Sequence, residues 1–139
     1  MSFTTKPYGK KIEKPWGYEI LYTAPHSDRV GKILFVRAGR RLSLQYHDAK
    51  EETLCLVSGK AIIWLENEEG VVEHKPMELE VGYNVALMQK HRVEAVEDSL
   101  VIESSDQEKG NTFRLEDDYA RGTETEDIRR QDDRGWHAQ

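Results

Sequence analysis

An all-β sandwich or barrel is the fold class this 139-residue sequence predicts, on three observations. From Trp16 onward the chain breaks into nine runs of four to eight residues rich in β-branched, aromatic and Leu side chains. Turn signals such as Arg37-Ala38-Gly39, Ser58-Gly59, Glu68-Glu69-Gly70, Val81-Gly82 and Glu97-Asp98-Ser99 separate them at short intervals. No stretch before residue 106 keeps an apolar stripe of 3.6-residue period for three turns, which excludes a helical fold.

The runs justify themselves in order. "YEILY" (18–22) follows the turn Pro15-Trp16-Gly17, with Trp16 expected to pack on the barrel. "KILFVRA" (32–38) and "LSLQYH" (42–47) flank Gly39, and "ETLCLVSG" (52–59) and "KAIIWLE" (60–66) flank Gly59. Trp64 sits in an alternating strand and reads as structural, and Cys55 alternates away from Leu54 and Leu56 as a packed, unreactive thiol. "VVEH" (71–74), "YNVALM" (83–88), "HRVEAVE" (91–97) and "LVIESS" (100–105) complete the set. Residues 1–13 form a polar arm without a core of its own, 14–121 the domain, and 122–139 a tail with eight charged residues in eighteen. That tail is expected to be a short helix around 124–131 or to stay disordered, unless Trp136 docks it.

Composition bounds function. An apolar fraction of 37% with 33% charged residues suits a thin barrel with polar outer faces. The net charge of −6 argues against non-specific nucleic-acid binding, while leaving room for a local basic pocket. No window approaches the roughly 18 apolar residues of a membrane span, and the N-terminus lacks a secretory signal. One cysteine forms no internal disulfide, so the cytoplasm is expected.

A polar island interrupts two of the apolar runs. In a strand, residues two apart share a face, so Gln45 and His47 are neighbours, and Glu52 heads the next strand in phase with Leu54 and Leu56. If that face points inward, Gln45, His47 and Glu52 converge inside the barrel. A buried carboxylate is costly unless paired or bound to a metal. A fourth donor must come from a distant strand, and His91 is the best placed. His26, in a turn-like stretch, His74, before Pro76, and His137, in the tail, are weaker. A lone strand His is more often structural, but Gln and Glu at matched spacing favour a ligand here. Glu51 faces solvent by alternation.

The same residues resemble the first motif of the cupin superfamily, which runs Gly, five residues, His-x-His, three or four residues, Glu, six residues, Gly. Gly39 opens it, Gln45 and His47 take the two His positions, Glu52 follows and Gly59 closes it. Gln in the first position, within "LSLQ", is similar to the cupin domain of type II phosphomannose isomerases. "KPWGYE" (14–19), "HRVEAVEDS" (91–99) and "RLEDDYAR" (114–121) resemble that family in the same order. The likeness covers roughly residues 14 to 121 and is nearest to stand-alone mannose-6-phosphate isomerase-like cupins. It implies a double-stranded β-helix (jelly-roll barrel) and one divalent ion, Zn, Mn, Co, Ni or Fe, held by Gln45, His47, Glu52 and His91. Two departures stand out. The usual Pro-x-Gly ahead of the second-motif His is absent, Met88, Gln89 and Lys90 standing in that stretch, and Ala120 replaces the usual Gly.

The implied activity is aldose–ketose isomerisation of a sugar or sugar phosphate. The ion acts as Lewis acid while a base shuttles a proton between C2 and C1. A phosphosugar needs cations: Lys32, Arg37 and Arg41 are expected near the barrel mouth, and Arg114 and Arg121 match the family's arginine-bearing ending. Arg41, Arg114 and Arg121 are the catalytic expectations, and Lys32, Arg41 and Tyr83 the substrate-binding ones. Tyr18, Tyr46 and Tyr83 offer hydroxyls as proton donors. Arg92, following a ligand, turns outward by alternation. Two alternatives stand beside this reading. One is a non-catalytic cupin binding a carbohydrate or small anion. The other is a non-haem iron oxygenase, since His47, Glu52 and His91 alone make a 2-His-1-carboxylate set. The nucleotidyltransferase region of the bifunctional relatives is not in this chain, so guanylyl transfer is not expected. A homodimer is expected, because the polar arm needs a surface and cupins commonly exchange N-terminal strands.

Overall fold

The computed structural model describes residues 3–132, so Trp136 and His137 lie outside the described residues. Eleven strands and one helical turn follow in order: β1 (Lys10–Lys14), β2 (Gly17–Leu21), β3 (Arg29–Val36), β4 (Leu44–His47), β5 (Glu52–Ser58), β6 (Ala61–Glu66), β7 (Val72–Pro76), β8 (Gly82–Val85), β9 (His91–Ala95), β10 (Ser99–Asp106), β11 (Thr112–Glu116) and α1 (Glu126–Arg129). They form two sheets, ordered β1-β2-β3-β10-β5-β8 and β11-β4-β9-β6-β7, with antiparallel strand neighbours throughout. This is the double-stranded β-helix expected from the sequence. No helix of the described residues is long and apolar enough to cross a membrane.

Alternation builds the inner faces. Leu34 and Val36 on β3, Leu54 and Leu56 on β5, Ile63 on β6, Val93 on β9 and Val101 on β10 are at most 2% exposed and pack between the sheets. The same faces change character toward one end. Lys32 follows Leu34 inward on β3, Glu103 follows Val101 on β10, and Glu52 precedes Leu54 on β5, all buried. The barrel thus has an apolar end and a charged end, and the site lies at the charged one.

Two strands carry no clear signal in the sequence. β1 reads KKIEK and pairs with β2 of its own chain, from Lys10 opposite Leu21 to Lys14 opposite Gly17. β11 reads TFRLE and pairs with β4. Each places only one or two residues inward, so no apolar alternation marks it. Arg92 corrects an expectation. It turns off the barrel interior as alternation demands, yet it is 1% exposed rather than in solvent. Its Nε donates to the Leu42 carbonyl at 2.9 Å and its guanidinium lies 4.9 Å over the Trp64 ring. The chain after β11 covers that face, with Asp118 pairing bidentately to Arg41 beside the same ring.

Turn geometry uses glycine where a side chain would collide. Gly59 joins β5 to β6 at φ +94°, and a Cβ there would enter the Asp98–Ser99 backbone. Ala120 adopts φ +56° in the turn after β11, its N–H donating to the Asp117 carbonyl. A methyl group in this left-handed region costs about 1–2 kcal/mol. Part of that is offset by the extra unfolded-state entropy of glycine, so Ala120→Gly is expected to stabilise the protein by about 0.5–1 kcal/mol. Urea unfolding checks it, and a destabilised variant would show the turn to be held by something else.

Candidate metal centre

His47 ends β4, Glu52 begins β5 and His91 begins β9, so three strand termini meet at the charged end of the barrel. Each strand's alternation aims its residue inward, and all three are at most 4% exposed. One ligand atom from each lies within 4.8 Å of the others. Glu52 Oε1 is the shared point, 3.3 Å from His47 Nε2 and 2.9 Å from His91 Nε2. The short turn between β4 and β5 is pinned, because the Asp48 carboxylate accepts from the Asn111 backbone N–H at 2.7 Å and its amide at 3.1 Å. The turn before His91 differs from Pro-x-Gly as expected. Met88 takes the left-handed position at φ +65°, and its N–H donates to the His47 carbonyl at 2.8 Å, linking the two histidines' backbones.

The hydrogen bonds behind the rings decide what the front can do. His91 Nδ1 faces the Gln89 carbonyl at 2.9 Å. A carbonyl only accepts, so Nδ1 carries the proton and Nε2 of the neutral ring presents a lone pair. That lone pair faces a carboxylate oxygen at 2.9 Å without forming a hydrogen bond to it. Two acceptor atoms at that separation are reconciled by a cation between them, a proton or a metal ion. His47 is held similarly, Nδ1 at 2.9 Å from Thr112 Oγ1. Burial, seconded by the Lys50 charge, pushes the His47 imidazole from 6.5 down to about 4 despite its contact with Glu52. The neutral ligand form therefore prevails at neutral pH. Burial works to raise the Glu52 carboxyl, but Lys50 and the two histidines hold it well below its ordinary value. Gln45, opposite His91 in register, accepts 2.6 Å from Ser43 Oγ on Oε1 and keeps a second lone pair on that oxygen. Two imidazole Nε2 atoms and a carboxylate oxygen make a donor set that fits a divalent ion, and Gln45 lines the same cavity.

The cavity beside this cluster has a volume of about 60 Å³ and charged walls. Lys50 Nζ lies 3.4 Å from Glu52 Oε2 and 3.4 Å from Glu103 Oε2. Lys32 pairs with Glu19 at 3.3 Å and with Glu108. Burial, then the charge of Glu52, raises the Glu103 carboxyl. Across the cavity Arg114 donates through Nη1 to the Gly122 carbonyl at 2.7 Å and through Nη2 to Glu124 at 3.2 Å. Its Nε is buried with no hydrogen-bond partner among the described residues. Arg121 binds both oxygens of Asp117 at 3.0 Å.

Of the substrate and catalytic residues expected from the sequence, Lys32, Arg114 and Arg121 line this cavity together with Gln45, His47 and Glu52. Arg41 and Tyr83 are not among the described residues that line it. Arg41 is held on the outer face by Asp118, and Tyr83 packs against the core from β8 while its hydroxyl accepts from the Glu78 N–H at 2.8 Å. Sequence reasoning missed Lys50, Glu103, Glu108, Glu124 and Arg129. Glu103 had a signal, being in phase with Val101 on an apolar strand.

No protein-family model matches the chain, and no curated protein matches it. Solved structures do match in fold. An oxalate decarboxylase from Bacillus subtilis superposes with a TM-score of 0.69 at 14% identity, over 83% of this chain and 33% of its own. KdgF from Halomonas sp. gives 0.59 at 18% identity, over 69% of this chain and 84% of its own. The capsular polysaccharide assembling protein CapF of Staphylococcus aureus gives 0.63 at 13% identity, over 84% and 33%. The chain thus spans about a third of the decarboxylase and of CapF.

Proposed function

We propose that this cupin-fold barrel holds a divalent ion through His47, Glu52, His91 and Gln45 and acts on a small sugar phosphate by aldose–ketose isomerisation. The observation that carries the metal reading is the convergence of two imidazole Nε2 atoms on one buried carboxylate oxygen. Three observations favour an anionic sugar: the unpartnered Arg114 Nε, the cavity-lining Lys32 and Arg121, and the Gln in the first ligand position. The protein assembling a capsular polysaccharide among the fold neighbours points the same way.

When bound, the ion polarises a carbonyl and its neighbouring hydroxyl. Arg114 and Lys32 orient the phosphate. Lys50 and Glu103 are titratable groups sharing the wall with the cluster, and the travelling proton is assigned to that pair. One proton leaves C2 and returns at C1 while a hydroxyl proton passes from O2 to O1, so atoms and electrons balance.

The test loads the full chain with Zn, Mn, Co, Ni or Fe in turn and follows interconversion of mannose 6-phosphate and fructose 6-phosphate. Turnover is expected only with metal. Arg114→Met should raise KM about tenfold, the worth of one hydrogen bond to a charged group. A second reading draws on the cavity's size. About 60 Å³ holds an ion and a few waters, well under the roughly 300 Å³ at which ligand sites begin. A barrel that binds an anion without turning it over fits that volume, and phosphosugar binding without turnover under every metal would establish it. Oxygen uptake with Fe alone would instead select oxygenase chemistry.

A further inference from the structure

Glu124 bridges two arginines where the cavity meets the C-terminal segment. Its Oε2 is 3.2 Å from Arg114 Nη2, its Oε1 is 3.6 Å from Arg129 Nε, and the residue is 6% exposed. Arg129 also pairs with Glu108 at 3.4 Å. All four side chains line the cavity. A carboxylate shared between guanidinium groups takes the place that a phosphate or a ligand carboxylate would take. The pair does not exhaust the arginines' donors. Arg114 Nε, on a side chain 8% exposed, has no acceptor among the described residues, which a third oxyanion contact would supply.

We propose that Arg114 and Arg129 form the seat for the ligand's oxyanion, that Glu124 fills this seat with its own carboxylate, and that residues 122–125 move aside, Arg129 staying in place, when an external anion replaces it. The way the segment is held suits such an exchange. Backbone bonds join Thr112 and Glu124 in both directions at 2.9 Å, and Glu126 accepts from the Gly110 N–H at 2.8 Å. The remaining ties of residues 122–125 are the hydrogen bond from Arg114 to the Gly122 carbonyl at 2.7 Å and the ion pairs of Glu124, the one buried residue among the four. Little apolar burial therefore opposes the segment's release, and Glu124 is part of the wall of the cavity of about 60 Å³. An incoming anion replaces one carboxylate by another charge of the same sign, so the buried guanidinium groups are never left unpaired. The proposal deepens the ligand-site reading above and rests on it, but it does not rest on the metal.

The experiment titrates inorganic phosphate and, separately, acetate into the metal-free full chain by calorimetry. Glu124→Gln removes the competing charge while keeping the shape, and phosphate is expected to bind this variant about tenfold more tightly than wild type. The double variant Glu124→Gln with Arg129→Met should lose that gain. A gain for phosphate assigns the seat to a phosphate ester, and a gain for acetate alone assigns it to a carboxylate. Unchanged or weaker binding of both anions overturns the proposal. Hydrogen exchange on the wild-type chain tests it without a variant: amides of residues 122–125 should exchange faster with saturating anion, and slower or unchanged exchange overturns it. A preparation that binds phosphate in this way but takes up no divalent ion would defeat the metal reading and leave this one standing.

Discussion

His91→Ala is expected to abolish binding of the divalent ion proposed for this site, expected at about one per molecule in the wild-type chain. The imidazole is 2% exposed, its Nδ1 is committed to the Gln89 carbonyl, and its Nε2 points at Glu52. Removing a direct ligand should cost more than removing a residue that only orients one, which is typically 10–100-fold, so a loss beyond about 100-fold is expected. Thr112→Val, which removes the Nδ1 partner of His47, should fall inside the smaller range. Metal content after gel filtration and competition with a chromogenic chelator measure both. Wild-type affinity in His91→Ala would take His91 out of the site and leave Gln45, His47 and Glu52 to a different arrangement. Affinities that rank Thr112→Val below His91→Ala would reverse the assigned roles.

The convergence of His47 and Glu52 inside the barrel was legible because strand alternation converts spacing into direction. His47 sits at an even step from Gln45, and Glu52 in phase with Leu54 and Leu56, so an apolar inner face dictates where their side chains go. Lys32 and Glu103 obey the same rule, and their in-phase positions beside Leu34 and Val101 were a readable sign of a charged barrel end. Other residues lie beyond that rule. Lys50 belongs to a turn, Glu108 to the loop before β11, and Glu124 and Arg129 to a polar segment whose placement comes from ion pairs with residues far along the chain. Such pairing has no period. Arg92 shows the complementary limit. Alternation gave its direction away from the interior, but its burial depends on contacts with Trp64 and with Glu116 at the end of β11.

The metal-free protein should lose stability on mild acidification through His47. Its imidazole titrates near 4 when folded against 6.5 as its ordinary value. Between those values the unfolded chain binds more protons at this residue, so its contribution rises with pH. It is fully present above about pH 6.5 and is lost as pH falls toward about 4, a total of about 3 kcal/mol at 1.36 kcal/mol per pKa unit. Glu52 is depressed, so its contribution is present above its ordinary value and disappears below it. Glu103 is raised, so its contribution has the opposite sign, present at low pH and lost as pH climbs through its folded value. The two carboxylates obscure a raw stability curve, but comparison with His47→Gln isolates the imidazole. Between pH 7 and pH 5, wild type should lose about 2 kcal/mol more than His47→Gln in urea unfolding with chelator present. Parallel losses in the two proteins would mean that the ring is solvated in the folded state. Ion binding requires the same neutral imidazole, so metal release with proton uptake belongs to the acid side of this window. The burial that keeps the His47 imidazole in the neutral form a metal ligand needs is also expected to make the metal-free barrel acid-sensitive.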